Sequence, residues 1–476
     1  MPLITSTATD IIFSTAAGSD TLQSAINQAQ SSGLPLFLAP GVYTQASVTI
    51  TASVTIYARK DSVQLRSANG NAFVMRIGSG PSSSAIAGVV IRGVNFDGEN
   101  KPLSSGQNGL IQFYNADRMV VEDCFFWRSK QSGVYLYHSE GRISGNRCDN
   151  CVSSITSVNG SGVVIENNYL TNSLDTGIEC YRDPWATTQV YFDGTIIQRN
   201  RIYSVLNTSG GSGQWGNAIA CNGLQALRIC HNFISGANFS AIRVNYCRDI
   251  VIEGNQAVAI REVAIFVENP ADYAGGWRGA VINGNTLDDV GGGIICANTN
   301  AGSRRASVVG NTISNVKKKS FTEYNDGTSG GYTRVTHGVG IWLASDCIAE
   351  GNIIEYAEAA GIVAIFAGTW DGQAIIDRNT VAAIVSNNIL KNCYVGIGYS
   401  DNDARTFAEI AGNTIIGAGA FNIVKMASTA LPPPAPSGNL YGPPAPVAGA
   451  VEMGNVSNAV TTRWSFTRNK IVPAIV

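Results

Sequence analysis

The sequence predicts an all-β chain, a single-stranded right-handed parallel β-helix of about fourteen coils with an N-terminal capping helix. Three observations carry this. A phrase, aliphatic-x-x-Asn-x-aliphatic, recurs eleven times from residue 143 onward. A second phrase, small-Ile-x-x-x, falls between successive copies. Composition allows a continuous interior: 45% hydrophobic but only 14% charged residues, against roughly 25% charged in an ordinary globular chain. Length alone, 476 residues, would suggest two or three domains, but the repeat replaces that with one elongated domain over 1–476.

The elements follow in order. DTLQSAINQAQSSG has helical spacing, with Leu22, Ile26 and Ala29 on one face, and predicts a cap over about 19–32. PLFLAPGVYT, SVTITASVTIYA and AGVVIRGVNFDG read as strands of early coils that lack the Asn. The Asn positions are 146, 168, 200, 232, 255, 285, 311, 352, 388, 413 and 469, spaced by 22 to 56 residues. A constant minimum with variable excess means solenoid coils carrying loop insertions. Alternating aliphatics beside each Asn read as short strands. Asn tolerates left-handed backbone angles in a tight bend and bonds neighbouring backbone, so stacked coils should form an interior Asn ladder. The Pro-rich stretch 431–449 is an excursion, and 450–476 closes with a last coil.

Charge nearly balances, with 32 Lys+Arg against 34 Asp+Glu, which argues against a nucleic-acid binder. No apolar run reaches the ~18 residues of a membrane span. The ten cysteines are scattered among aliphatics and read as buried free thiols, which fits folding in a reducing compartment. The chain starts without a basic or apolar leader. Localisation is therefore expected to be periplasmic or secreted if a leader was removed, and cytoplasmic otherwise.

The stretch from residue 20 to 44, DTLQSAINQAQSSGLPLFLAPGVYT, resembles the cap and first strand of the pectate-lyase-like superfamily. From about 19 to 425 the chain is similar to the twin-arginine-translocated repeat proteins of that superfamily. The motifs are DGENKPL, SGVYLYHSEGRISGNRC, DGTIIQRNRIYSV, GQWGNAIACN, SAIRVNYCRDIVIEGN and REVAIFVE. That family implies the fold but no activity, so it lends no catalytic residues. The wider superfamily of lyases, glycoside hydrolases, esterases, tailspikes and adhesins makes carbohydrate the expected ligand class.

In the second phrase the Ile and the residue two later must point inward, giving Leu136, Ser157, Cys180, Cys221, Val244, Val267, Cys296 and Leu343. One outward row is then Tyr135, Thr156, Glu179, Ala220, Arg243, Phe266, Ile295 and Trp342. The next is Tyr137, Val158, Tyr181, Asn222, Asn245, Glu268, Ala297 and Ala344. Insertions at 182–194, 207–215, 269–279, 314–337 and 366–372 adjoin this face, and with it they carry Trp185, Trp215, Trp277, Trp342 and Trp370. Flat aromatics with polar neighbours suit sugar rings, so an exposed glycan groove is expected here, with packing of the loops as the plainer alternative. Its substrate-binding set is Tyr135, Tyr137, Tyr181, Asn222, Asn245 and these five tryptophans.

The catalytic candidates are Glu268, Arg243, Glu179 and Asp183. A carboxylate beside Arg stays ionised and can serve as base or nucleophile. The alternative is a surface ion pair worth little. Strand spacing puts Glu179 ~14 Å from Glu268, beyond the ~5–9.5 Å of glycosidase carboxylates, so a partner acid would come from Asp183, Asp193 or a loop. Arg243 with Tyr181 or His138 fits lyase chemistry instead. No cofactor or metal is expected. Asp401–Asn402–Asp403 and Asn325–Asp326–Gly327 offer oxygen ligands for Ca2+, but as loop turns they need none. Lys317, Lys318 and Lys319 with Arg304, Arg305 and Arg334 form a basic patch.

The expected function is a carbohydrate-active enzyme, lyase or glycoside hydrolase, on an extended polysaccharide. Non-catalytic glycan binding by a tailspike-like or envelope β-helix, and polysaccharide epimerisation, are the alternatives. A dimer or trimer is compatible with the fold.

Overall fold

A computed structural model of the chain describes residues 3–15, 18–183, 193–209, 216–269, 279–298, 306–323, 332–344, 347–364, 367–370, 373–376, 381–399, 406–425, 458–460 and 464–472. The chain divides into two compact units, Met1–Trp185 with Phe192–Gly211, and Ser212–Val476 with Ala186–Tyr191. Each is a stack of coils whose strands pair in parallel with the coils before and after.

Unit 1 opens with an antiparallel pair, Leu3–Ser6 and Ile11–Ser14, ahead of the cap. The predicted helix forms over Leu22–Ser32, burying Leu22, Ala25, Ile26 and Ala29. Thr21 Oγ1 accepts from Ser24 N at 3.1 Å, satisfying one of the helix's first amides. Gly33 ends it at φ 69°, a left-handed angle that costs glycine nothing. Three parallel faces then run through the coils. The first includes Leu36–Leu38, Val54–Ala58, Val89–Arg92, Met119–Glu122, Gly141–Ser144, Val164–Glu166 and Ile196–Gln198. The second includes Val94–Asp97, Phe125–Trp127, Arg147–Asp149, Tyr169–Thr171 and Arg201–Val205. The third includes Met75–Ile77, Gly109–Tyr114, Ser132–Tyr137, Ser153–Val158 and Thr176–Tyr181.

Unit 2 repeats the scheme. Its third face joins Ile219–Asn222, Ile242–Asn245, the ends of the long strands Gln256–Asn269 and Thr286–Asn298, then Val339–Ala344, Ala360–Ala364 and Val395–Tyr399. The two long strands cover a second-face position as well, and their mutual register shifts between Ile260 and Val263 where the chain turns the corner.

The interior is apolar and tight. Every inward residue predicted between Leu136 and Leu343 is at most 3% exposed. All ten cysteines are free, nine of them buried. Burial pushes the thiols of Cys124, Cys148, Cys151 and Cys393 well up, so they pack as small apolar groups.

The asparagine ladder is present in each unit. In unit 1, Asn146 donates its backbone N and its Nδ2 to Asn168 Oδ1, both at 3.0 Å, and Nδ2 also reaches Val121 O at 2.9 Å. Asn168 treats Asn200 and Ile143 O in the same way. In unit 2 the ladder runs through Asn232, Asn255, Asn285, Asn311, Asn352, Asn388, Asn413 and Asn469. One expectation is corrected. The ladder Asn does not take the left-handed conformation; the residue before it does, in all eleven copies, from Gly145 (φ 69°) and Asn167 (φ 57°) to Arg468 (φ 56°). The preceding residue makes the bend, which frees the Asn to aim its amide along the stack.

Candidate functional site

In unit 1 the parallel register lines up an outward row of Thr49, Arg76, Gln112, Tyr135, Thr156 and Glu179. Beside it stand Tyr114, Tyr137, Val158 and Tyr181. The rows begin where the sequence reading placed Tyr135, Tyr137, Glu179 and Tyr181, and they extend further back. Arg76, Gln112 and Tyr114 were missed because the early coils lack the small-Ile phrase. The signal was the likeness of GLIQFYN at 109 to SGVYLYH at 132.

This face is a network rather than a set of solvated side chains. Gln112 is fully buried; its Nε2 donates to Tyr114 Oη and its Oε1 accepts from Asn108 N at 2.7 Å. Tyr114 and Tyr137 meet edge to face, centroids 6.0 Å apart. His138 lies against Tyr137 at 4.4 Å, and its Nε2 is 3.1 Å from Asn159 Nδ2. Asn159 also latches Asp183 through the backbone, accepting from Asp183 N and donating to Asp183 O, both at 2.8 Å. Next to it, Arg182 pairs with the buried Asp193 at 3.4 Å.

Burial holds the Tyr135 phenol above its ordinary range, and the neighbouring tyrosines add to this. Burial does the same to Tyr181, with Glu179, Tyr135 and Asp183 adding their charges. Both therefore remain protonated donors at neutral pH. Desolvation, then the charge of Arg182, lowers His138, so its imidazole is neutral there. The phenols of Tyr135, Tyr137 and Tyr181, a neutral imidazole and the carboxylates of Glu179 and Asp183 share one face, while the buried Tyr114 spends its hydroxyl on Gln112 and Gly106 O. The set offers donors to sugar oxygens, and groups that can take up a proton.

Unit 2 brings together Arg243, Asn245 and Glu268, as the spacing predicts. Arg243 pairs with Phe266 across the strands and Asn245 with Glu268. Arg243 Nη2 lies 2.7 Å from Glu268 Oε2, with both side chains only 8% exposed. The guanidinium sits between the rings of Phe239 and Phe266, at 5.1 and 5.0 Å. The plainer reading of a surface ion pair is thus replaced by a buried one. The Oδ1 atoms of Asn222 and Asn245 are buried and accept no hydrogen bond among the described residues.

The expectation that the outward rows stay exposed fails at Thr156 and Val158 of unit 1, 4% and 1% exposed, and along much of the row in unit 2. Phe266, Ile295, Trp342 and Val363 are at most 2% exposed and form an apolar cluster with Phe239 and Phe321. The cause is part of the 314–337 insertion. Its strands Ser320–Glu323 and Tyr332–Val335 form a hairpin, and Phe321 packs edge-on against Phe239 at 5.5 Å. Lys319 anchors it to Asp289 at 2.9 Å, and Glu358 accepts from Lys318 N at 2.7 Å. Trp342 is therefore core, against His337 at 5.4 Å, and has no open face for a sugar ring.

Trp185, Trp215 and Trp277 lie outside the described residues, as do 401–403, 325–327, Arg304, Arg305 and the Pro-rich 431–449. Trp370 ends the strand Ala367–Trp370, paired antiparallel with Gln373–Ile376. Among the described residues no group of three or more His, Cys, Asp or Glu is placed to hold a metal. No helix among them is long and apolar enough to cross a membrane.

Residues 41–184 match the family model described as the right handed beta helix region. With the parallel strands and ladders above, this makes the fold a right-handed parallel β-helix. No curated protein matches the chain. Among solved structures, a PL6 alginate lyase in complex with a trisaccharide is 12% identical with a TM-score of 0.47, over 97% of this chain and 96% of that one. The catalytic unit of a GH87 α-1,3-glucanase from Streptomyces thermodiastaticus strain HF3-3 is 13% identical with a TM-score of 0.46, over 90% and 69%. A tailspike protein of E. coli bacteriophage HK620, in complex with a pentasaccharide, is 14% identical with a TM-score of 0.46, over 85% and 76%. At these scores the likeness says nothing of activity.

Proposed function

We propose that the chain is a carbohydrate-active enzyme, a polysaccharide lyase or glycoside hydrolase, with its reaction centred on the unit 1 face around Tyr181. The observation that supports this is the set of protonated tyrosines standing with Glu179 and Asp183 on one outward surface. Tyr181 lies two residues from each carboxylate in sequence, and Glu179 and Tyr181 project from the same side of one strand, ~7 Å apart. An extended glycan crossing the strands would meet donors from Tyr135 and Tyr181 at its oxygens. In cleavage, Tyr181 would give a proton to the leaving glycosidic oxygen. Glu179 or neutral His138 would take one, from water in hydrolysis or from the carbon beside a uronate carboxyl in elimination. Asp183, held by Asn159, completes the acidic side. Arg243 and Glu268 remain candidates by chemistry, but their burial suits support better than contact with a polymer, so the reading rests on unit 1. The resemblance to twin-arginine-translocated repeat proteins belongs to the same reading.

A polysaccharide panel scored for unsaturated-product absorbance and for reducing ends tests this. Turnover of one polymer is expected, falling about 10²–10⁴-fold in Tyr181→Phe and in Glu179→Gln with the fold intact. Full activity in both variants overturns the site. Tight glycan binding with no turnover anywhere overturns the enzymatic reading in favour of a binding protein.

A further inference from the structure

The residues that follow the ladder asparagines build another outward face of unit 1. Parallel register stacks Phe125, Arg147, Tyr169 and Arg201 in one row. The adjoining row contains Trp127, Asp149, Thr171 and Tyr203. Flat aromatic and cationic groups thus alternate one rung apart, and Arg147 stands two rungs, ~10 Å, from Arg201. Arg147, Tyr169 and Arg201 are all exposed, Tyr169 at 41%. The residues between them, Cys148, Leu170 and Ile202, are buried and already fill the core, so the outer side chains are not required for packing.

Two exposed guanidiniums, Arg147 and Arg201, stand on this face against one carboxylate outside an ion pair among the described residues, Asp149, whose donors are neutral. Asp97 is 3% exposed and accepts from Arg128 Nε at 3.0 Å and Nη2 at 2.6 Å. Asp149 accepts from Thr171 Oγ1 at 2.9 Å and Asn172 Nδ2 at 2.8 Å. Arg147 lies over Phe125 at 4.8 Å with its residue exposed, and Arg128 lies over Trp127 at 4.1 Å. A guanidinium held on a ring keeps its N–H fork pre-oriented, which suits carboxylate or sulfate. The Tyr169 and Tyr203 rings, 5.3 Å apart and tilted by 41°, supply aromatic area beside it.

We propose that this face binds a polyanionic glycan, whose acidic groups recur along an extended chain and meet Arg147 and Arg201 while its sugar rings lie on Tyr169 and Tyr203. It is a different face from the one around Tyr181, so neither proposal depends on the other. A cluster built only to stiffen the coils would not discriminate between polymers.

Affinity electrophoresis and calorimetry of the full chain with polygalacturonate, heparin and neutral amylose test it. Binding to the two polyanions is expected, weakening as salt rises, with amylose far weaker. Arg147→Ala and Arg201→Ala should each weaken binding about tenfold without shifting the melting temperature. The Arg147→Lys/Arg201→Lys pair should recover only part of the affinity, because the charge returns without the fork. Unchanged affinity in the double alanine variant overturns the proposal, as does equal binding of amylose. A wild-type oligomer that the double alanine variant dissolves also overturns it, because the face would then join copies of the chain.

Discussion

Glu268→Gln removes one charge from the buried pair of unit 2 and leaves Arg243 between two phenyl rings without it. At 2.7 Å and an effective dielectric constant of 20, the gross attraction between the two charges is about 6 kcal/mol. In the folded protein, desolvation of both ions offsets most of that. Removing a single partner loses the attraction but keeps the other ion's desolvation cost, so about 3–5 kcal/mol of stability should go. Arg243→Met should cost a similar amount, part of it the ~1 kcal/mol of cation–π contact with Phe239 and Phe266. Arg243→Met with Glu268→Leu replaces both ions by apolar groups and should cost much less than the sum, a coupling of about 3 kcal/mol. Because stacked coils can open piecewise, amide hydrogen exchange at Val244 and Val267 should be followed beside urea unfolding. If each single variant costs under about 1 kcal/mol, the pair is solvent-screened, the burial argument fails, and Glu268 returns as a candidate for chemistry.

Asn285→Ala deletes the acceptor of Asn255 N and Nδ2 and the donor to Ile252 O, and should cost about 2–4 kcal/mol, read as a lower unfolding midpoint. Arg199→Gly should stabilise unit 1 by up to about 1 kcal/mol, because Arg199 carries the left-handed bend (φ 54°) that glycine takes freely; a loss in denaturant midpoint would count against the bend assignment. His337 is buried and its pKa is lowered from 6.5 to about 3. The unfolded chain therefore binds a proton that the folded chain refuses, so stability is full above pH 6.5 and falls as pH drops toward 3. His337→Gln should flatten that slope in unfolding measured across the same range. Phe321→Ala should uncover Trp342 and cost about 3–5 kcal/mol, with red-shifted tryptophan emission as the readout.

Sequence periodicity reads direction well and cover poorly. Alternation alone placed Leu136, Cys180, Val244 and Leu343 inward and Tyr135, Glu179 and Arg243 outward, and every one of these directions holds. Period two says which side of a strand a residue faces, but not what lies on that side. Trp342 faces outward and is nevertheless core, because Phe321 arrives from an insertion whose landing place no local pattern encodes. The bend before each ladder Asn was misassigned for a related reason. Asn is common in left-handed turns, so propensity favoured it, while the stacked amides decide that its neighbour must turn instead. Arg147, Tyr169 and Arg201 stand in plain view in NRC, NYL and NRI, but a repeat explained by its ladder Asn gives no reason to single out the residue that follows.

The ladder has one further consequence. Each amide accepts from the rung before and donates to the rung after with nearly the same geometry, so a rung cannot tell which neighbour in the series it has met. Within each unit successive rungs join alike, though 22 to 32 residues of chain separate them in unit 1 and 23 to 56 in unit 2. Such a joint is indifferent to copy number: a gene segment encoding one coil can be duplicated or excised with the seam healing itself. The coil beginning at Asn146, after whose removal Gly145 would run straight into Asn168, is the shortest natural cassette of this kind.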